Sequence, residues 1–413
     1  MSLLNKSISE LLKLMELNEV SSEEITKTSI ENIEKNDLGS ALYQISLKDE
    51  AIKKSKEIDV KRKNKEDLGS LAGIPVAISD DISTKGILTT AGSKILENYI
   101  PPFNATVVER LLDEGSIILG KAKVNEFGLT PSSKVSEVLD ANGAAFGIGT
   151  SMDSSKVSMK PTFGLISRYG VIGASSSFDQ IVPVTNSVED LAVVLNTIAG
   201  YDKRDSQSIN TEKKDYTKSL TAEIKGLKVA IPTGIKSDKI DRLSKELEKL
   251  GATIQEVNLS TLEYILPVYK ILSSAEFASN SARYDGISLG YRTESYEDMD
   301  ELYKKTRSEG FNKEAKKTIL FGNYVISSGQ YEKLYVKAQK IRAMIKEEFT
   351  RVTREYGLIL MPYGENESLN IVSNVTGLPA ITIPNGIQLI GPYLGEEELI
   401  KVAYIVEKQG GAK

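Results

Sequence analysis

The chain has 413 residues, of which 40% are hydrophobic and 26% charged, with a net charge of −5. This composition suits a globular protein with ample core and argues against a dominant basic surface for nucleic acid. It contains no cysteine, histidine or tryptophan, which excludes disulfides, thiolate nucleophiles, every Ser–His or Cys–His pair, and zinc sites built on His or Cys.

The first 60 residues read as helices. Ser7-Ile8-Ser9-Glu10 and Ser21-Ser22-Glu23-Glu24 each form a capping box ahead of apolar residues at three- and four-residue steps. A third helix is expected from Asp49 to Val60, followed by a solvated charged linker from Lys61 to Asp67. The period then changes. Ile74 to Ile78, Ser116 to Gly120, Leu227 to Pro232 and Thr253 to Val257 read as strands. They alternate with helices at Ala105 to Glu114, Ser187 to Ala199 and Asp238 to Leu250. From Leu262 to Tyr356 the pattern is largely helical. Strands return at Leu358 to Pro362 and Ile381 to Pro384, and a helix follows from Glu396 to Lys408. The expected organisation is one domain over 1–413, with N-terminal helices (1–65), an α/β core (66–260 and 357–413) and a helical insertion (261–356). No apolar run is long enough for a membrane span and Met1 to Asn5 lacks the form of a secretory signal, so a cytoplasmic location is expected.

Several separated blocks carry a family likeness. Leu71-Ala72-Gly73-Ile74-Pro75-Val76-Ala77-Ile78, Gly120-Lys121, Lys160-Pro161-Thr162-Phe163-Gly164, Ser167-Arg168-Tyr169-Gly170, Ser177-Phe178-Asp179-Gln180 and Gly377-Leu378-Pro379-Ala380 follow one another in a fixed order. In these the chain resembles the amidase signature family, and within it the A subunits of tRNA-dependent glutamine amidotransferases. The resemblance implies an α/β fold, a mixed central sheet covered by helices on both faces, with a helical insertion. It implies glutamine or a small amide as ligand, amidotransferase B and C subunits as partners, and neither cofactor nor metal. The acidic balance fits leaving the nucleic acid to another chain.

The family's chemistry uses a Ser nucleophile, a second Ser in a cis peptide, a buried Lys as base, and a glycine-rich loop as oxyanion hole. A desolvated Lys can serve as base without imidazole. Here the position of that Lys, directly before Asp80, reads Ser79, and a hydroxyl cannot accept the proton near neutral pH. Ser79 also reads as a hydrogen-bonded hydroxyl at a strand end. The run carrying the cis Ser has no counterpart between Thr130 and Gly149. Gly149-Thr150-Ser151-Met152-Asp153-Ser154-Ser155 stands where the nucleophile loop is expected, which puts Ser155 at the nucleophile position with Ser154 beside it; the same serines also read as a polar surface turn. Tyr291 and Arg342 fall where the resemblance places the glutamine-binding Tyr and Arg, although Arg342 also reads as a solvated helix residue. Tyr363 to Asn370 offers no counterpart for the Asp that recognises the substrate amide. Three functions follow: a catalytically silent relative, an active amidase using Ser155 with Lys156 or Lys160 as base, or a protein that binds an amino acid or amide without chemistry.

Overall fold

Both N-terminal capping boxes form. Ser7 and Ser21 accept from the backbone N–H three residues on, and Glu10 and Glu24 accept in return from the cap backbones, opening the helices Ile8–Glu16 and Ser22–Glu34. The computed structural model describes residues 3–35, 38–130, 134–221 and 224–409. Its strands are β1 (Tyr43–Ser46), β2 (Pro75–Ser79), β3 (Ile117–Ala122), β4 (Phe146–Gly149), β5 (Val157–Lys160), β6 (Val182–Thr185), β7 (Lys228–Pro232), β8 (Thr253–Val257), β9 (Leu358–Pro362), β10 (Ala380–Ile383) and β11 (Ile387–Ile390). They make one 11-stranded mixed sheet in the order β1-β3-β2-β4-β6-β5-β10-β11-β9-β7-β8. β2 runs parallel to β3 and β4, and β7 runs parallel to β8 and β9. The centre is antiparallel, with β5 joined to β6 and β10.

Continuous apolar strands are buried on both faces, as an α/β sheet requires. Val76 and Ile78 of β2 pack into one core while Ala77 packs into the other; Leu358 and Leu360 of β9 likewise oppose Ile359 and Met361. The stretch 261–356 carries the helices Ile265–Ser281, Met299–Gly310, Lys313–Ile326 and Lys337–Tyr356. Gly322 is where the first and third of these cross. A Cβ there would lie 2.0 Å from the Ser274 carbonyl oxygen, so only a hydrogen fits.

Two features depart from expectation. Lys61, Arg62 and Lys63 form the last turn of the helix Lys48–Lys63 rather than a linker. Cations suit a helix C-terminus, and Arg62 also donates to the Ala72 carbonyl at 2.8 Å. β4 and β5 occupy a region that reads as altered loop, because four-residue strands, one alternating with glycine, carry too little periodicity to stand out.

The N-terminal helix is tied to the core through a carboxylate. Ile8 N–H donates to Asp190 Oδ1 at 2.6 Å, and Asp190 is buried within the helix Val188–Ile198. Burial pushes its carboxyl up to about 7, against the pull of the Ile8 and Ser187 hydrogen bonds. A raised folded-state value stabilises the fold in acid and loses that contribution as pH rises from 3.8 through about 7. Asp190→Asn keeps the acceptor and removes the charge. Denaturant titrations at mildly acidic and mildly alkaline pH should show wild type losing on the order of 2 kcal/mol more than the variant across that interval. Equal losses would remove Asp190 as the source.

Candidate functional site

The chemistry available here rests on two buried lysines, one inside β3 and one at the end of β5. Lys121 lies on β3 beside β2 and is fully buried. Its ammonium donates to the Ile82 carbonyl and, at 3.0 Å, to Thr84 Oγ1. Burial draws it down to about 8, opposed by the charges of Asp80 and Asp81. Asp80 accepts from both the N–H and the hydroxyl of Thr90. Burial pushes its carboxyl up to about 6, against the Thr90 hydrogen bonds and Lys121. Thr150 donates to Asp81 at 2.6 Å.

Ser79 ends β2 immediately before these carboxylates. It is completely enclosed and its Oγ has no hydrogen-bond partner among the described residues. The sequence leads one to expect a hydrogen-bonded hydroxyl at this strand end; the structure leaves it unsatisfied. Neighbouring backbone groups are taken up by the β2–β3 ladder and by Asp80 N–H, which donates to the Ala122 carbonyl.

Lys160 ends β5 and is 3% exposed. No hydrogen bond or ion pair holds its amine among the described residues, and it faces a cavity of about 50 Å³ shared with Asp81, Thr150, Ser151, Tyr269 and Asp179. Burial lowers it to about 8, opposed by Asp179. Asp179 accepts from Ser175 N–H at 2.8 Å, and its own burial raises it to about 7. Gly173 makes room for that carboxylate, since a Cβ there would lie 2.4 Å from Asp179 Oδ2. Beyond this wall lies an open cleft of about 460 Å³, which shares Val171, Ile172, Gly173 and Asp179 with the cavity. Two of its arginines are already engaged. Arg168 forks onto Asp205 at 3.1 and 3.0 Å, and Arg204 bridges Glu109 and Asp202.

The remaining candidates are dispersed. Ser155 is exposed, and both its N–H and Oγ donate to Asp153 Oδ1, at 2.7 and 2.6 Å. The Ser154 carbonyl accepts from Gly386 N–H at 3.2 Å. Neither serine lines the cavity or the cleft, whereas Ser151 of the same turn lines the cavity. Lys156 turns to Asp140 and Asn186, at 2.8 Å each. Ser155 is therefore not brought together with Lys156 or Lys160. Tyr291 donates to Glu309 at 2.6 Å beneath the Lys94 ammonium. Arg342 donates to the Val375 carbonyl, Ser177 Oγ and the Ser177 carbonyl at 3.0, 2.8 and 2.9 Å, stacked on Phe178. Neither Tyr291 nor Arg342 lines the cavity or the cleft. Sequence reasoning passes over Lys121 and Asp179 as chemical groups. The available signal for Lys121 is a lysine inside an otherwise apolar strand, a residue type almost never fully buried without cause.

The family model described as Amidase matches residues 24–144 and 154–400. The chain belongs to the Amidase family. It is 40% identical to the A subunit of the glutamyl-tRNA(Gln) amidotransferase from Thermoanaerobacter pseudethanolicus, covering 99% of this chain and 97% of the relative, and 37% identical to the one from Fusobacterium nucleatum, covering 95% and 94%. The crystal structure of the Thermotoga maritima A subunit superposes with a TM-score of 0.74 at 26% identity, over 98% and 95% of the two chains. A peptide amidase from Stenotrophomonas maltophilia shares the fold, with a TM-score of 0.83 at 23% identity over 99% and 97%. The Thermoanaerobacter alignment runs to 474 positions against 413 residues here, so that relative carries segments this Amidase-family chain lacks. The family match itself breaks between residues 144 and 154, at β4 and the turn that brings Ser151 to the cavity. Among the described residues no helix is long and apolar enough to cross a membrane.

Proposed function

We propose that this chain is a member of the Amidase family that has lost acyl transfer, a scaffold related to the amidotransferase A subunit without glutaminase or amidase activity. The observation that carries this reading is the end of β2. A sealed hydroxyl, Ser79, stands there without a partner among the described residues, and the buried amine on the adjacent strand, Lys121, is held by a carbonyl and a threonine rather than by a serine. General-base catalysis needs an acceptor within hydrogen-bond reach of the nucleophile's proton. An oxyanion hole is also wanting at the Ser155 turn, because Ser155 N–H is bonded to Asp153 and Asp153 N–H to Ser158 Oγ at 2.9 Å. Similarity along the whole chain supports a cytoplasmic protein that keeps surfaces for B- and C-like subunits.

A second reading has one observation in its favour: Ser151 and Lys160 line the same cavity. It makes the chain a hydrolase with Ser151 as nucleophile. The test is ammonia release from glutamine, asparagine and a simple aliphatic amide by the purified chain. The expected result is none above the buffer rate, for wild type and for Ser79→Lys alike. Turnover by wild type that disappears in Ser151→Ala would establish the second reading, and turnover restored by Ser79→Lys would refute the first. Heat stabilisation by glutamine or glutamate without product would point to a binding protein instead.

A further inference from the structure

The two buried lysines differ in one respect. Lys121 is anchored by two acceptors, whereas Lys160, also buried, has none among the described residues and borders a small cavity. An amine taken out of water without a hydrogen-bond partner is costly and contributes nothing to packing that a methionine would not. The same space is bordered by the carboxyl of Asp179, which Gly173 allows to approach the backbone closely. We propose that this cavity is a carbonyl-trapping site, in which Lys160 condenses reversibly with a small aldehyde or ketone and Asp179 moves the protons. The proposal is independent of whether acyl transfer is lost, since it uses neither Ser79 nor a serine nucleophile.

The step balances with the groups present. The Lys160 lone pair attacks the carbonyl carbon; a C–N bond forms as the C=O π pair moves to oxygen. Asp179, as the acid, protonates that oxygen and takes back a proton from the nitrogen, giving a carbinolamine. Asp179 then gives its proton to the hydroxyl, which leaves as water as the nitrogen lone pair forms C=N. The products are an iminium on Lys160, an Asp179 carboxylate facing it, and one water. Neither oxidant nor reductant is consumed. Burial favours the required forms of both groups: it lowers the amine to about 8 and raises the carboxyl to about 7. An exposed lysine, near 10.4, holds only about 0.04% of its amine free at neutral pH.

Size sets the substrate class. A cavity of about 50 Å³ has room for roughly three to five water-sized centres at about 10–15 Å³ each. That admits carbonyl compounds of a few heavy atoms and excludes aromatic aldehydes. The larger cleft borders the same carboxyl, sharing Val171, Ile172 and Gly173 with the cavity.

The test uses the full purified chain with acetaldehyde and sodium cyanoborohydride, which reduces an iminium to a stable ethyl-lysine. Peptide mapping by mass spectrometry then ranks every lysine by its initial rate. Lys160 should be labelled about tenfold or more faster than exposed lysines such as Lys304, the gain expected from its larger free-amine fraction. Benzaldehyde should label Lys304 and spare Lys160. Asp179→Asn should slow Lys160 alone. The proposal fails if folded wild type labels Lys160 no faster than Lys304, or if benzaldehyde reaches it equally. A wild-type measurement decides the matter even where Asp179→Asn does not fold, and Lys160→Arg controls for the mapping of its peptide.

Discussion

Ser79→Lys is expected to lower folding stability by about 4 kcal/mol, whereas Ser79→Ala raises it by about 1 kcal/mol. The contrast follows from the site's present contents. Ser79 is fully enclosed and its hydroxyl makes no hydrogen bond among the described residues. Removing an unsatisfied buried hydroxyl recovers its desolvation cost and leaves only a small void. Introducing a lysine adds a long side chain to a closed space and places a second ammonium near Lys121, itself buried and already drawn down in pKa. Among the described residues Asp80 and Asp81 each keep one unpartnered carboxylate oxygen, and these set the limit on how far a new cation is compensated. Chemical denaturation of the three proteins near neutral pH reads both effects. A Ser79→Lys chain as stable as wild type would mean that the seat of the family's base is still open, and would overturn the account of a closed site at the end of β2.

The fold was legible because its strands are strongly apolar. Ile74 to Ile78 and Leu358 to Pro362 are uninterrupted runs of a kind that only a sheet covered on both faces buries, and β8 and β9 begin and end where the alternation says they should. The centre of the sheet was not legible. β4 and β5 are four residues each, and no local period separates a buried Lys160 from a lysine on a surface turn. Ser151 shows the same difficulty at the site. Three serines in five residues have the same local chemistry, yet only Ser151 reaches the cavity, because Met152 is buried beside it while Ser155 folds onto Asp153. What separates them is tertiary packing, and that is carried by residues elsewhere in the chain.

Arg342 makes the same point in energetic terms, and its truncation to alanine should cost about 3 kcal/mol of stability. Read alone, an arginine on the amphipathic helix Lys337–Tyr356 is either solvated or reserved for a substrate carboxylate. In the structure its guanidinium is occupied by the Val375 carbonyl and by the hydroxyl and carbonyl of Ser177, a residue 165 positions earlier. It stacks on Phe178 with its carbon 4.2 Å from the ring centroid. Ser177 in turn donates its N–H to Glu276 at 2.9 Å, so the arginine pins three segments of the chain together. Arg342→Lys should recover less than half of the loss, because a single ammonium cannot reproduce a planar fork held at three acceptors and stacked on a ring. Thermal unfolding of wild type and both variants, with and without glutamine, separates the roles. A structural clamp gives a lowered midpoint in both variants regardless of ligand. A substrate-binding arginine would leave the ligand-free midpoint unchanged and abolish only the shift produced by glutamine, and that outcome would overturn the structural assignment.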